Sequence, residues 1–274
     1  MTTYTTFTME EKRFAFGKNW SRFLSVLDDD RIAEAERSLC QMLAIDSLGG
    51  KSFLDIGCGS GLFSLAARRL GARVRSFDYD AESVACALTL KQRYFPADEG
   101  WVIEEGSVLD GEYMRSLGCF DVVYSWGVLH HTGRMWDAMA LAAEPVDNGG
   151  RLFISIDNDQ GSRSVFWRRV KRTDCSGPAG RALVVAAFVP ATVAYGALRD
   201  LLSRRNPLRR YREYRRKRGM SIYYDWFDWL GGYPYEVARP EAVIDFYSPR
   251  GFKLLTIKTT QSNGTNEFVF QRDG

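Results

Sequence analysis

Histidine is the scarcest reactive residue in this chain: among 274 residues there are two, and they are neighbours, His130 and His131. Any chemistry that needs an imidazole has one address. Cysteine offers little more. Five residues (Cys40, Cys58, Cys86, Cys119, Cys175) are scattered, odd in number and without a C-x-x-C pair. That spacing excludes a disulfide framework and a clustered zinc site, and fits a reducing compartment. Residues 1–16 are polar and Thr-rich with no apolar h-region, so no secretory signal is expected and the expected location is cytoplasmic. An uncharged run at residues 182–198 is 17 long and contains Pro190 and Gly196. It falls short of the ~20 residues a spanning helix needs.

What is present is an ordinary apolar share, 45%, with plentiful aromatics. Such a chain can bury a sizeable core as one large α/β domain, or as a domain with an insertion. The net charge of +3 hides an asymmetry. Between Gln160 and Met220, 16 Lys/Arg stand against three acids, a surplus of +13 that leaves −10 for the rest. A basic segment is set into an acidic body.

The organising stretch is residues 52–61. Phe53, Leu54 and Ile56 form a short apolar run, as expected of a buried parallel strand. Gly57, Gly59 and Gly61 follow in alternation, and a helix-like segment begins at once. Glycine lets the backbone approach a ligand, and a helix start offers unpaired N–H groups. The dinucleotide fingerprint G-x-G-x-x-G is not met, because its third small residue would fall at Leu62. Asp55 lies in the strand end, where a carboxylate suits a cationic amine better than a pyrophosphate. The pattern Asp-x-Gly-x-Gly-x-Gly over 55–61 resembles motif I of the class I S-adenosylmethionine methyltransferases.

Further signals follow in order. A helix is expected over 21–45, with Trp20 before it either stapling that helix to the body or forming part of a lid. A second strand ends at Asp78, placed to accept from ribose hydroxyls, with Tyr79 as an adenine wall and Asp80 as a helix cap. After a third strand, Ser107 and the Val108 backbone stand where the resembling family grips adenine, with Asp110 as an alternative. A fourth strand leads through Ser125 and Trp126 to His130 and His131, at the mouth of the expected cleft. Imidazole titrates near neutrality and is the commonest general base. Residues 160–220 read as a helical insertion, either a cap or an element resting on anionic lipid. Nucleic acid ranks behind both, for want of a binding motif. Tyr223, Tyr224, Trp226, Tyr233 and Tyr235 supply rings for an acceptor pocket. The chain closes with an antiparallel hairpin.

Motif I, Asp78, the stretch from Ser125 to Gly133 and the terminal hairpin together resemble a class I methyltransferase over roughly residues 14–160 and 220–272. Within it they are similar to the ubiquinone-biosynthesis O-methyltransferase group. The resemblance implies a Rossmann-like doubly wound α/β sheet, mostly parallel, with an antiparallel terminal hairpin. It divides the chain into an N-terminal helical lid (1–50), a cofactor core (51–159), the insertion (160–220) and an aromatic segment with terminal strands (221–274). The implied cofactor is S-adenosylmethionine, held by Asp55, Gly57, Cys58, Gly59, Gly61, Asp78, Tyr79, Ser107, Val108, Ser125, Trp126 and Trp20. The implied base is His131 or His130. Where that group has Glu-x-x-Glu-His, with acids proposed to help hold a metal, this chain has Gly127, His130 and His131, so no metal is expected. The expected reaction is O-methylation of a small or lipid-linked hydroxyl compound, with peripheral contact at the inner face of the membrane. The alternatives are N-methylation of a small molecule, peptide or nucleic acid, and a non-catalytic cofactor-binding protein at the membrane.

Overall fold

The computed structural model describes residues 24, 27–203, 230–261 and 264–274. In it, seven strands form one sheet in the order β3-β2-β1-β4-β5-β7-β6. They are β1 (Ser52–Ile56), β2 (Arg73–Asp78), β3 (Trp101–Glu105), β4 (Phe120–Trp126), β5 (Val146–Asp157), β6 (Phe252–Lys258) and β7 (Thr265–Arg272). The first five are parallel, and β7 joins β5 and β6 antiparallel. The expected doubly wound sheet with its terminal hairpin is what forms.

The helices are α1 (Asp29–Leu43), α2 (Leu62–Arg69), α3 (Ala81–Tyr94), α4 (Gly111–Ser116), α5 (Met135–Ala143), α6 (Ser162–Cys175), α7 (Pro178–Leu202) and α8 (Pro240–Tyr247). Apolar side chains from α1, α2 and α3 pack on one face of the sheet, around Phe53, Val74, Trp101 and Phe153. Those from α4, α5 and α8 pack on the other, around Leu54, Ile56, Val123 and Ile154. Neighbouring residues of one strand thus serve opposite cores, which is why the parallel strands read as continuous apolar runs. The helix expected over 21–45 is described from Asp29. There Asp28 caps it, accepting from the Arg31 N–H at 3.0 Å, and Asp29 and Asp30 favour a helix start. The Asp-Asn-Gly-Gly stretch at residues 147–150 lies inside the irregular beginning of β5.

Two features of the insertion are visible. Helix α6 packs on α7, with Trp167 edge-on to Phe188 at 5.9 Å. The apolar run expected to fall short of a membrane span extends into the 25-residue helix α7, which is long and apolar enough to cross a membrane, with 11% of its most apolar window buried. Leu183, Tyr195, Leu198, Leu201 and Leu202 are exposed. At the outer sheet edge, β6 carries a register irregularity between Leu254 and Thr256, with Lys253 and Lys258 exposed beside it.

The base of β1 is tied to β4 by one carboxylate. Asp121 accepts from Lys51 Nζ (2.8 Å), the Ser52 N–H (2.9 Å) and Ser52 Oγ (2.8 Å). Burial pushes this carboxyl up, but the Lys51 and Ser52 donors outweigh it and hold it at about 2. Its folded value is below its unfolded one, so its stabilisation is present above about pH 4 and lost as pH falls through about 2. Asp121→Asn is expected to lower urea stability by about 1 kcal/mol at pH 7. The deficit should shrink towards zero in the same titration near pH 2.

Candidate functional site

The strand order reverses between β1 and β4, and open α/β sheets bind ligands at such a point, beyond the carboxyl ends of the strands. A cavity of about 240 Å³ opens there. Its walls come from the loops after four consecutive strands of the sheet: Gly57 and Gly59 after β1, Asp78, Tyr79 and Asp80 at the end of β2, residues 106–109 after β3, and residues 126–128 after β4. His131, Thr132 and Tyr233 close one end.

The turn after β1 folds over the end of β2, where the Gly57 and Cys58 N–H groups both donate to the Phe77 carbonyl (2.8 and 3.0 Å). Gly57 has φ +74°, and a Cβ there would lie 2.5 and 2.6 Å from the two Val128 methyls. Only glycine meets both conditions. Asp78 joins the two loops. Its Oδ2 accepts from the Gly59 N–H and its Oδ1 from the Asp80 N–H, both at 2.9 Å. A carboxylate oxygen has room for a further donor. Burial raises this carboxyl, against the pull of those backbone donors.

Asp55 has a different place from the one the motif implies. It is buried, it is not on the cavity wall, and its carboxylate accepts from Ser64 Oγ at 2.5 Å. Burial pushes it up to about 7, opposed by that hydrogen bond. Its contact fixes the first turn of α2 to β1, directly behind the glycine turn. Several other expected residues also stand behind the wall. Cys58 is buried within the turn. Gly61 caps α2, its α-carbon side pressed towards Ala87. Ser125 donates to the Ile56 carbonyl at 3.1 Å and Tyr235 is buried. Gly57, Gly59, Asp78, Tyr79, Ser107, Val108, Trp126, His131 and Tyr233 do line the cavity. Trp20, Tyr223, Tyr224 and Trp226 lie outside the described residues.

The histidines occupy a 3-10 turn, Leu129–His131, with ring centroids 4.3 Å apart. His131 Nδ1 lies 2.7 Å from the Pro234 carbonyl. A carbonyl only accepts, so Nδ1 carries the proton and Nε2 keeps its lone pair. Burial, and then the neighbouring His130, push His131 down to about 3. Burial does the same to His130, which is almost wholly enclosed, with Nε2 3.6 Å from Asp157 Oδ2. Both rings are neutral at physiological pH.

Asp157 and Lys171 were not singled out by sequence. Asp157 ends β5, and the rule that places ligands beyond strand ends could have flagged it. Lys171 is one of the many basic residues of the insertion and carried no separate signal. The donor atoms of His130, His131 and Asp157 lie within 4.8 Å of one another. Gly127 brings no side chain, Nδ1 of His131 is committed to Pro234, and the Lys171 ammonium is buried in the same cluster. A metal ion would meet a cation already there, so the residues do not fit one.

In its mostly parallel sheet and in the sequence of its core, the chain is similar to class I S-adenosylmethionine-dependent methyltransferases. Residues 54–154 match a family described as a methyltransferase domain. The ubiquinone biosynthesis O-methyltransferase of Burkholderia orbicola (strain MC0-3) is 33% identical over 112 residues, 40% of this chain and 46% of that protein. The chain thus aligns with about half the length of this curated relative. Among solved structures, magnesium protoporphyrin IX methyltransferase from Synechocystis PCC 6803 with bound SAM superposes with a TM-score of 0.58. It is 13% identical, over 98% of this chain and 100% of that one. The CurJ carbon methyltransferase superposes with a TM-score of 0.50 at 13% identity, over 89% of this chain and 54% of that one. The shared fold therefore leaves the acceptor atom open. The cavity fits the cofactor: Phe77, Val108 and Leu109 offer apolar walls for a base, and Asp78 an acceptor for a sugar.

Gly57→Ala is expected to destabilise the protein by about 1–3 kcal/mol in thermal melts. It should also weaken S-adenosylmethionine binding. Val128→Ala in the same chain should relieve part of the loss, because it removes the methyls that the new Cβ meets.

Proposed function

We propose that this protein methylates a hydroxyl group of a small-molecule or lipid-linked acceptor. The observation that carries this reading is His131: a neutral imidazole on the cavity wall, its tautomer set by Pro234. S-adenosylmethionine supplies an electrophilic methyl when bound. In this reading the glycine turn and Asp78 hold the cofactor at the β1–β2 end, and His131 receives the acceptor's hydroxyl proton at Nε2 as the new C–O bond forms. Positioning of donor and acceptor does most of the remaining work. The similarity to ubiquinone-biosynthesis O-methyltransferases supports oxygen as the acceptor atom.

Calorimetry with S-adenosylmethionine should show binding by the unaltered chain, weakened about tenfold or more in Asp78→Asn. His131→Ala should bind the cofactor as before while kcat falls by about 10²–10⁴. Full turnover in that variant would remove the base assignment and leave an amine or carbon acceptor.

The exposed apolar residues of α7 further support a docking surface for anionic lipid, flanked by exposed Arg163, Arg169, Arg172, Arg181 and Arg199. Amphipathic binding of this kind combines apolar insertion with attraction to acidic headgroups. The protein should float with vesicles containing phosphatidylserine and much less with phosphatidylcholine alone. Leu198→Glu together with Leu202→Glu should abolish flotation. An unchanged distribution in that variant would overturn this surface.

A further inference from the structure

The end of the cavity at His131 is backed by a buried ammonium and a partly buried carboxylate that come from two different parts of the chain. Asp157 is brought there by the carboxyl end of β5, and Lys171 by α6. Lys171 is 4% exposed, and its ammonium lies 5.0 Å from the centroid of the Tyr235 ring. Gly232 is what lets it come close to the imidazole. A Cβ at that position would be 3.2 Å from His131 Cε1 and 3.3 Å from Lys171 Nζ. Both groups therefore border the space that a side chain at position 232 would occupy. Asp157 stands within 4.8 Å of both imidazoles.

We propose that Lys171 and Asp157 are positioning residues for His131, an ammonium and a carboxylate that act on the imidazole with opposite sign and together set how readily it takes the acceptor's proton. This rests on the reading of His131 as the base. When the ring accepts a proton, the new positive charge is attracted by the Asp157 carboxylate and repelled by the Lys171 ammonium. In a buried site with little screening, such effects are larger than on the surface. Among the described residues, the charged or titratable groups around His131 are His130, Asp157 and Lys171; around Lys171 they are His130, His131, Asp157, Asp174, Cys175 and Tyr235. The directions agree with this arrangement. Beyond burial, His130 and Lys171 lower His131 and Asp157 raises it, while Asp157 holds Lys171 up against its own burial. The pair also ties the insertion to the chemistry, since α6 belongs to the basic segment and β5 to the core.

The chain contains two histidines, so imidazole NMR reports on both without ambiguity. In the unaltered protein the His131 ring should stay neutral down to well below pH 5. Lys171→Met should move its protonation midpoint upwards by half a pH unit or more, and the acid limb of kcat should move with it while cofactor affinity stays the same. Lys171→Arg should keep the original midpoint. Adding Asp157→Asn to Lys171→Met should bring the midpoint back down, and Asp157→Asn alone should lower kcat about tenfold with little change in KM. A merely structural role for either residue would not produce shifts of opposite sign. An unmoved midpoint in Lys171→Met, or a shift that persists after Asp157→Asn, would overturn the inference. Midpoints that move as described in a protein without methyl transfer would overturn the base reading and leave the electrostatic pairing intact.

Discussion

The pairing of β1 with β4 is the constraint on which the site depends. The register Phe53↔Val122, Leu54↔Val123, Asp55↔Tyr124 places two strands side by side whose crossovers leave in opposite directions. It is fastened at one end by Asp121 against Lys51 and Ser52, and at the other by Ser125 donating to the Ile56 carbonyl. With both ends fixed, the glycine turn after β1 and the histidine turn after β4 must open on the same side. The glycine-turn wall and the His131 wall of the cleft are therefore consequences of one strand pair.

The alternation of apolar strands and helices was legible because each parallel strand is buried on both faces, and burial writes itself into composition. Gly57, Gly59, Asp78 and His131 were legible because turns and strand ends restrict which residues can stand there. Asp55 was harder. An acid beside a glycine motif looks the same in sequence whether its carboxylate lies on the cavity wall or, as here, behind it against Ser64, nine residues on. Asp157 was legible only as the last residue of a strand, and Lys171 not at all. Their relation to His131 depends on α6 folding back over the strand ends, and on a glycine at position 232, where a Cβ would crowd both Lys171 and His131. Nothing local in the chain encodes that contact.

The insertion has two faces with different physical demands. On its inner side α6 delivers a buried ammonium to the core, where the neighbouring carboxylate offsets the cost of desolvation. On its outer side α7 leaves leucines in contact with water. Exposed apolar area of that extent is unusual for a surface with no partner. One segment thus connects the surroundings of His131 to whatever surface the outer helix meets.

The irregular register in β6 has a consequence beyond the hairpin. An unprotected outermost strand presents a row of free amides and carbonyls to which a foreign segment can add. Here the break between Leu254 and Thr256 disturbs that row, and Lys253 and Lys258 add charge along the same rim. An eighth strand would find no continuous ladder to extend, so this margin of the molecule resists fibrillar growth.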